Sequence, residues 1–169
     1  MIRVKTGLIL VPLSLCSMKC LNNNGSSNNN PNGVLNILPT GYIGRVVIIY
    51  SQKDGKEQKI TGGKRVYEIP DCGILKTQFS RPTGSISIPE EKYFTYVYSN
   101  GDTISCLSNS DPIDSNRINE VFSFAHSIGG IGFDDNEDYE ISEYIIDTLK
   151  NIKKYKVFQI EKSDLEKCQ

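Results

Sequence analysis

The sequence predicts a mainly β protein, built as an antiparallel β-sandwich with one C-terminal amphipathic helix. Between residues 38 and 132, short runs of β-branched and aromatic residues alternate with Gly, Pro and Asn about every ten residues, a spacing typical of sandwiches and small barrels. After residue 138 the apolar residues change to helical spacing. A chain of 169 residues has the length of one ordinary domain. We therefore expect a single β-rich domain over residues 36–169.

The first strands are predicted from runs of β-forming residues. Residues 45–50 (RVVIIY) are almost all β-branched or aromatic, which predicts a central strand covered on both faces. Residues 53–56 (KDGK) then form a turn. Residues 65–69 (RVYEI) are a second strand, which ends before Pro70 because proline has no N–H for the ladder. Residues 74–79 form a third strand.

The clearest hairpin signal joins residues 92–98 (KYFTYVY) to residues 103–107 (TISCL). Asn100 and Gly101 between them favour the positive φ values of a type I′ turn. The alternation places Phe94, Tyr96 and Tyr98 on one face. These rings are either a stacking platform for sugar or one face of the core, and we favour the core because alternating aromatic residues are typical of a sandwich interior.

In the C-terminal third of the chain, the spacing of the apolar residues changes from that of a strand to that of a helix. Residues 121–128 (VFSFAHSI) predict another strand, followed by a bend at Gly129, Gly130 and Gly132. An amphipathic helix is predicted over residues 142–154, because acidic residues precede it, lysines end it, and four apolar residues recur at helical spacing: Ile141, Ile145, Leu149 and Ile152. Residues 155–161 (YKVFQIE) predict a last edge strand.

The N-terminus has the pattern of an export leader. Two basic residues precede an apolar run at residues 7–15 that is too short to span a bilayer. No small-residue cleavage site follows, whereas Cys16 stands where a bacterial lipoprotein leader has its lipidated cysteine; Cys20 is the alternative. We predict a leader over residues 1–20 and a flexible Asn- and Ser-rich linker over residues 21–35. The competing interpretation is a cytosolic protein that begins with a hydrophobic strand.

Charge limits the classes of partner. The chain has 19 basic and 20 acidic side chains and a net charge of -1, so it lacks the positive charge that binding to a phosphate backbone needs. We therefore expect no nucleic acid partner. The expected partners are a membrane, through the lipid anchor, and protein or glycan in the envelope.

Few residues are candidates for chemistry. His126 is the one histidine, and no nucleophile motif accompanies it, so we expect no catalytic residue. The acidic run contains weak candidates for a Ca²⁺ site, namely Asp134, Asn136 and Asp138. An EF-hand register fails there, because Tyr139 takes the position of the required glycine and Ile145 that of the final glutamate. We expect no metal and no cofactor.

Three cysteines remain after the leader, and at most one disulfide can form among them. Cys72 and Cys106 are the predicted pair, which leaves Cys168 reduced near the C-terminus. If the strands do not bring the pair together, both cysteines are small buried apolar residues.

Two segments carry a resemblance to known proteins: residues 38–50 (LPTGYIGRVVIIY) and residues 67–77 (YEIPDCGILKT). They resemble a family of uncharacterised bacterial envelope proteins, a domain of unknown function often carried by lipoproteins. More loosely, they are similar to carboxypeptidase-regulatory and transthyretin-type sandwiches. The resemblance implies an Ig-like or transthyretin-like sandwich and an envelope location, and it transfers no catalytic residue.

The sequence as a whole favours a membrane-anchored bacterial envelope lipoprotein, on the periplasmic or the surface side, that acts as a non-catalytic binding or structural module. One alternative is a small envelope hydrolase or metal-dependent enzyme that uses His126 or the acidic residues 134–138. A second alternative is an immunity or inhibitor protein. An enzyme would need His126 and two acidic residues to meet in a concave pocket.

Overall fold

The fold is one mixed β-sheet that curls on itself. The computed structural model describes residues 31–82, 93–108, 112, 114–133, 138–155, 160–166 and 168. Within these ranges, nine strands are hydrogen-bonded in the order β3-β4-β1-β6-β7-β8-β9-β2-β5. Their bounds are β1 Gly33–Leu38, β2 Gly44–Ile49, β3 Ile60–Thr61, β4 Lys64–Glu68, β5 Ile74–Lys76, β6 Phe94–Tyr98, β7 Thr103–Cys106, β8 Val121–Gly132 and β9 Asp138–Thr148.

The strand directions differ from the prediction. The protein is mainly β, as expected, but β1 runs parallel to both of its neighbours, β4 and β6. The pairs β7–β8 and β2–β5 are also parallel, while β8–β9 and β9–β2 are antiparallel. After β1 the chain crosses to build β2 near the far end of the sheet and returns to place β4 beside β1. Such crossovers produce parallel pairs, so the sheet is mixed rather than antiparallel.

The two ends of the sheet meet across the segment of residues 56–61. Lys56 forms a bridge with Thr77, immediately after the edge strand β5, and its backbone N–H donates to the carbonyl of Lys76 over 2.8 Å. Three residues further on, the carbonyl of Lys59 accepts from the backbone N–H of Val66 in β4 over 2.9 Å. This segment continues into the edge strand β3 and also contacts the chain beside the other edge strand, β5, so the sheet encloses a core within a single curved layer.

Side chains from both halves of the sheet fill this interior. The inner cluster consists mainly of aliphatic residues and tyrosines: Val34, Leu38, Val46, Ile48, Tyr50, Tyr67, Ile69, Leu75, Phe79, Tyr96, Ile104, Tyr144 and Ile146. Contacts cross the interior between strands that are not neighbours. The Tyr144 hydroxyl in β9 donates to Asn36 Oδ1 in β1 over 3.1 Å, and both residues are buried. These contacts hold the curled sheet closed.

The predicted helix over residues 142–154 is wrong, because β9 occupies residues up to Thr148 and a short 3₁₀ helix, Leu149–Lys154, follows. Ile141 and Ile145 are four residues apart, and this spacing places side chains on one face of a strand as well as of a helix. Every residue from Ile141 to Asp147 is buried. Both faces of β9 are covered here, so apolar and polar residues do not alternate along it. The sequence therefore lacks the two-residue period that indicates a strand.

The outer face of β8 and β9 is covered by the C-terminal part of the chain. Phe122, Phe124, Ile145 and Leu149 form one cluster, against which Ile152 and Tyr155 pack. The buried carboxylate of Asp147 fixes this covering segment. It accepts from the Tyr155 hydroxyl over 2.7 Å and from Asn151 Nδ2 over 2.9 Å. Burial raises the pKa of Asp147, but the hydrogen bonds from Asn151, Tyr155 and Thr148 outweigh burial and lower it below its ordinary value.

Several predicted elements are confirmed, with changes at their ends. β2 has Val46 and Ile48 in the inner cluster and Val47 and Ile49 in an outer one, so it is covered on both faces as expected.

The β6–β7 hairpin forms, but among its turn residues only Gly101 has a positive φ, 97°. The backbone N–H of Gly101 donates to the carbonyl of Tyr98 over 2.9 Å. The connection is therefore a three-residue loop rather than a type I′ turn.

The ends of three other elements also differ from the prediction. β8 continues through the predicted glycine bend to Gly132 and stays paired with β9 as far as Asp138. β1 begins at Gly33, so residues 33–35 belong to the sheet and not to the linker. The predicted edge strand over residues 155–161 lies largely outside the described residues, and Ile160 and Glu161 are not in a strand. No helix among the described residues has the length and apolar character to cross a bilayer.

Candidate functional site

The site around His126 is created by a β-bulge in β8. Phe124 lies opposite Ile145 and Ser127 opposite Glu143, so Ala125 and His126 together face one residue of β9. Ala125 has a φ of 55°, a left-handed conformation that is uncommon for a residue with a Cβ. Without the extra residue, His126 would follow Phe124 onto the outer face. The bulge turns it to the inner face instead.

Three aromatic rings surround His126 on that face. Its imidazole is stacked on Tyr96, with ring centres 5.5 Å apart and an interplanar angle of 23°. Phe94 is nearly parallel to it at 6.2 Å, and Tyr144 lies at 5.8 Å. Burial among these rings lowers the pKa of His126 to about 4. The imidazole is therefore neutral at physiological pH.

Cys106 lies beside this imidazole. It occupies the last position of β7, where it shares the inner face with Ile104, and it is half-buried. Its Sγ is 4.0 Å from His126 Nδ1. The pair combines a thiol with a neutral nitrogen base at the distance of a weak S–H···N hydrogen bond, and its direction depends on the imidazole tautomer.

The predicted pairing of Cys72 with Cys106 is wrong, because Cys72 forms its disulfide with Cys168. Their Cα atoms are 5.9 Å apart, within the usual range for a disulfide. Cys72 lies in an exposed turn that ends at Gly73, whose φ is 79°. Cys106 instead packs against the inner cluster of the sheet, whereas Cys72 is exposed. The disulfide ties the C-terminal segment to the start of β5.

Of the remaining predicted site residues, Asp138 alone lies within the described residues. Cys16, Cys20, Asp134 and Asn136 lie outside the described residues. Asp138 is exposed at the start of β9. Within the part of the chain that the structure describes, no group of three or more His, Cys, Asp or Glu side chains has the geometry of a metal site.

The aromatic face of the hairpin belongs to the core, as predicted. Tyr96 is 2% exposed, and Phe94 and Tyr98 pack against the inner cluster. Tyr96 is also one wall of the His126 site, with Tyr144 in edge contact at 5.0 Å. The same rings therefore fill the core and position the histidine.

A separate cleft of about 470 Å³ lies where the two ends of the sheet meet. The segment of residues 56–59 forms one wall, and side chains of β4 and of the chain around β5 form the other. Charges of both signs line it, including Lys59 and Glu68, which form an exposed ion pair. His126 and Cys106 do not contribute to this cleft.

The contact between Cys106 and His126 could not be predicted from local patterns. The alternation of the hairpin correctly places Cys106 on the same face as Ile104. The position of His126, however, depends on the extra residue in β8, and Ala125 gives no sequence signal for a left-handed backbone because glycine or asparagine is usual there.

Comparisons with known proteins give two similarities. A family model described as a family of unknown function, DUF6843, matches residues 32–153. The crystal structure of a protein described as a "putative lipoprotein" from Bacillus anthracis is similar with a TM-score of 0.46 and 13% sequence identity, over 80% of this chain and 87% of that chain. No curated protein matches the chain.

Proposed function

The chain belongs to DUF6843, a family of unknown function, and we propose that it is a lipid-anchored protein of the bacterial cell envelope that acts through surface contacts rather than catalysis. The match extends over both segments that carry the resemblance to a domain of unknown function, and it confirms that resemblance. The proposal for location and role comes from the chain's own residues.

The disulfide between Cys72 and Cys168 is the observation that carries the proposal. Cytosolic thiols are kept reduced, and structural disulfides occur mainly in exported proteins. Here the bridge joins residues 96 positions apart and holds the C-terminal segment, which covers the outer face of the sheet. A fold stabilised in this way supports export to an oxidising compartment.

The leader supplies a means of anchoring. Its basic start, the apolar residues 7–15 and Cys16 match the arrangement that lipoprotein processing requires, with Cys20 as the alternative. Between these cysteines and the first strand, the chain is almost entirely Asn, Ser and Gly up to Gly33, where β1 begins. This composition predicts a linker with a span of roughly 20 Å, a length suited to holding the domain close to a membrane.

The non-catalytic role is supported by the surroundings of His126. Three aromatic rings enclose the imidazole, and no acidic side chain among the described residues joins it in a group of three. A concave surface within the described residues lies elsewhere, in the cleft between the two ends of the sheet. Its rim of lysines and glutamates suits a polar partner, either protein or glycan.

Membrane extraction tests the proposal. We expect the wild-type chain to stay with the membrane fraction through high-salt and alkaline washes and to be released by detergent. Cys16→Ser should keep its leader and lack the added acyl mass in intact-mass analysis, and Cys20→Ser should be processed as the wild type is. Cys106→Ser is the matched control, because it removes a cysteine without affecting the leader. A wild-type chain that is soluble without detergent, with Cys72 and Cys168 reduced in the cell, would refute both the anchor and the envelope location.

A further inference from the structure

The edge of β4 that faces the cleft is covered along part of its length. The two residues of β3 lie opposite Lys64 and Arg65. One more backbone bond follows, in which the N–H of Val66 donates to the carbonyl of Lys59 over 2.9 Å. Residues 56–58 then leave β4 for the chain beside β5. Within the described part of the chain, the cover on this side ends here, so the second half of β4 is an open sheet edge.

The backbone of Glu68 faces outwards at this open edge. The N–H of the next residue, Ile69, donates to the carbonyl of Ile37 in β1 over 2.8 Å. The N–H of Val66 points the opposite way, towards Lys59. Backbone groups of successive residues in a strand alternate between its two sides, so the N–H and C=O of Glu68 point to the same side as those of Val66. Among the described residues, these two groups of Glu68 have no backbone partner on that side.

An open edge with outward N–H and C=O groups is a template for pairing with another strand. Building on the proposed function, we propose that the cleft binds an extended peptide segment of a partner protein, which adds to the edge of β4 as a further strand. Main-chain hydrogen bonds supply the affinity in this mode of recognition, and contacts of alternate side chains supply the specificity. A glycan has no regular row of N–H and C=O groups to match a sheet edge, so the edge favours peptide over glycan.

Space and apolar surface are available for such a segment. The cleft has a volume of about 470 Å³, within the usual range for binding sites of roughly 300 to 1,000 Å³. Val66 and Leu75 are the apolar residues of its walls. Ile60, in the adjacent strand β3, directly follows Lys59 of the wall and is 53% exposed. A few residues of an extended peptide can therefore place apolar side chains against the protein while their main chain follows β4.

The charge around the cleft favours an acidic segment. Residues 53–81 supply every residue of its walls, and they carry seven basic and four acidic side chains, whereas the whole chain has a net charge of -1. Of the two acidic residues in the walls, Glu57 is exposed and Glu68 forms the ion pair with Lys59. Lys59 and, more weakly, Lys56 lower the pKa of Glu68. Complementary charge steers association and suppresses wrong partners, so an acidic peptide is preferred to a basic one.

Selection from a library of random short peptides displayed on phage tests the proposal, with the full chain in detergent as the target. We expect the enriched peptides to combine acidic residues with β-branched residues, because β-branched residues favour strands. An enriched peptide is then synthesised with a fluorescent label, and its affinity is measured by fluorescence anisotropy. Its binding should weaken as the salt concentration is raised.

Glu68→Pro and Glu68→Ala are the matched pair of variants. Both lack the ion pair with Lys59, but Glu68→Pro also lacks the N–H at the open edge. Proline is tolerated in an edge strand where the N–H does not pair, so the two variants should have similar urea midpoints. Loss of one main-chain hydrogen bond should make peptide binding roughly tenfold weaker in Glu68→Pro than in Glu68→Ala.

N-methylation of the peptide gives a second measurement that leaves the protein unchanged. Methyl groups on alternate residues remove the N–H donors from one edge of the peptide strand, and the complementary pattern removes them from the other edge. We expect one pattern to abolish binding and the other to retain it, because one edge of the peptide pairs with β4.

Three results would overturn the proposal. They are equal affinity of the two Glu68 variants for the enriched peptide, equal tolerance of the two methylation patterns, and a selection in which no peptide is enriched on the wild type over Glu68→Pro. An N-acetylglucosamine hexamer that shifts the amide NMR signals of Val66 and Glu68, when no peptide is enriched, would replace the peptide by a glycan and leave the proposed surface role standing. Membrane extraction reports the anchor separately, so these outcomes do not bear on the envelope location.

Discussion

Loss of the disulfide between Cys72 and Cys168 should reduce stability strongly. The bridge closes a loop of 96 residues. In the chain-entropy description, a loop of that length costs the unfolded state about 4.7 kcal/mol at 25 °C. We expect Cys168→Ser to lower the free energy of unfolding by about 3 to 5 kcal/mol, since measured effects fall at or below that limit. With a urea dependence of about 2 kcal/mol per M, the midpoint should fall by roughly 2 M.

Urea unfolding measured by near-UV circular dichroism would test this value, because the chain has nine tyrosines and no tryptophan. A reductant should destabilise the wild type to the level of Cys168→Ser and should have no further effect on that variant. Cys106→Ser is the control: we expect it to cost no more than about 1 kcal/mol and to remain sensitive to reductant. The reasoning is refuted if reductant leaves the wild-type curve unchanged, or if Cys106→Ser abolishes the reductant sensitivity, because Cys106 would then be the partner of Cys72.

Three further predictions concern the core and its strained position. Tyr144→Phe should lower the free energy of unfolding by about 1 to 3 kcal/mol in urea titrations, because Asn36 Oδ1 loses its buried donor; no measurable cost would contradict that contact. Ala125→Gly should have a free energy of unfolding within about 1 kcal/mol of the wild type, whereas Ala125→Val should lower it by more than about 2 kcal/mol, because a β-branched residue is disfavoured at a φ of 55°. Equal effects of the two substitutions would argue against the bulge. The pKa of Asp147 is lower in the folded chain than in the unfolded chain, so its carboxylate stabilises the fold above the unfolded pKa, and this stabilisation is lost as pH falls through the folded pKa. Asp147→Asn should therefore have a lower free energy of unfolding than the wild type near pH 7. On titration towards pH 3, the free energy of unfolding of this variant should fall by less than that of the wild type.

The parts of the fold that could be predicted are those in which one local rule decides. The run RVVIIY supplies all of β2 except Gly44, because β-branched residues in a continuous run favour a strand that is covered on both faces. Asn100 and Gly101 between two aromatic and β-branched runs predict the β6–β7 hairpin, although its turn is not of type I′. Pro70 ends the second predicted strand because it cannot donate to a neighbour. The family match supports the predicted resemblance in the same region.

The parts that could not be predicted depend on distant residues. Ile141 and Ile145 fit a helix and a strand equally well, and the choice was made by β2 and β8, which pair with β9 on its two sides. The parallel pairing of β1 follows from where the chain returns after β2. Neither the approach of Cys72 to Cys168 nor the turn of His126 towards Cys106 is determined by neighbouring residues in the sequence. Such contacts follow from topology, which periodicity does not encode.

Intact-mass and peptide analysis of the chain extracted from membranes tests the account most directly. We predict a chain that begins at Cys16 and carries added acyl mass, in which Cys72 and Cys168 resist alkylation until a reductant is added while Cys106 reacts without it. Recovery of an unmodified chain that begins at Met1, with Cys72 and Cys168 alkylated before reduction, would contradict both export and the disulfide on which the proposed function rests.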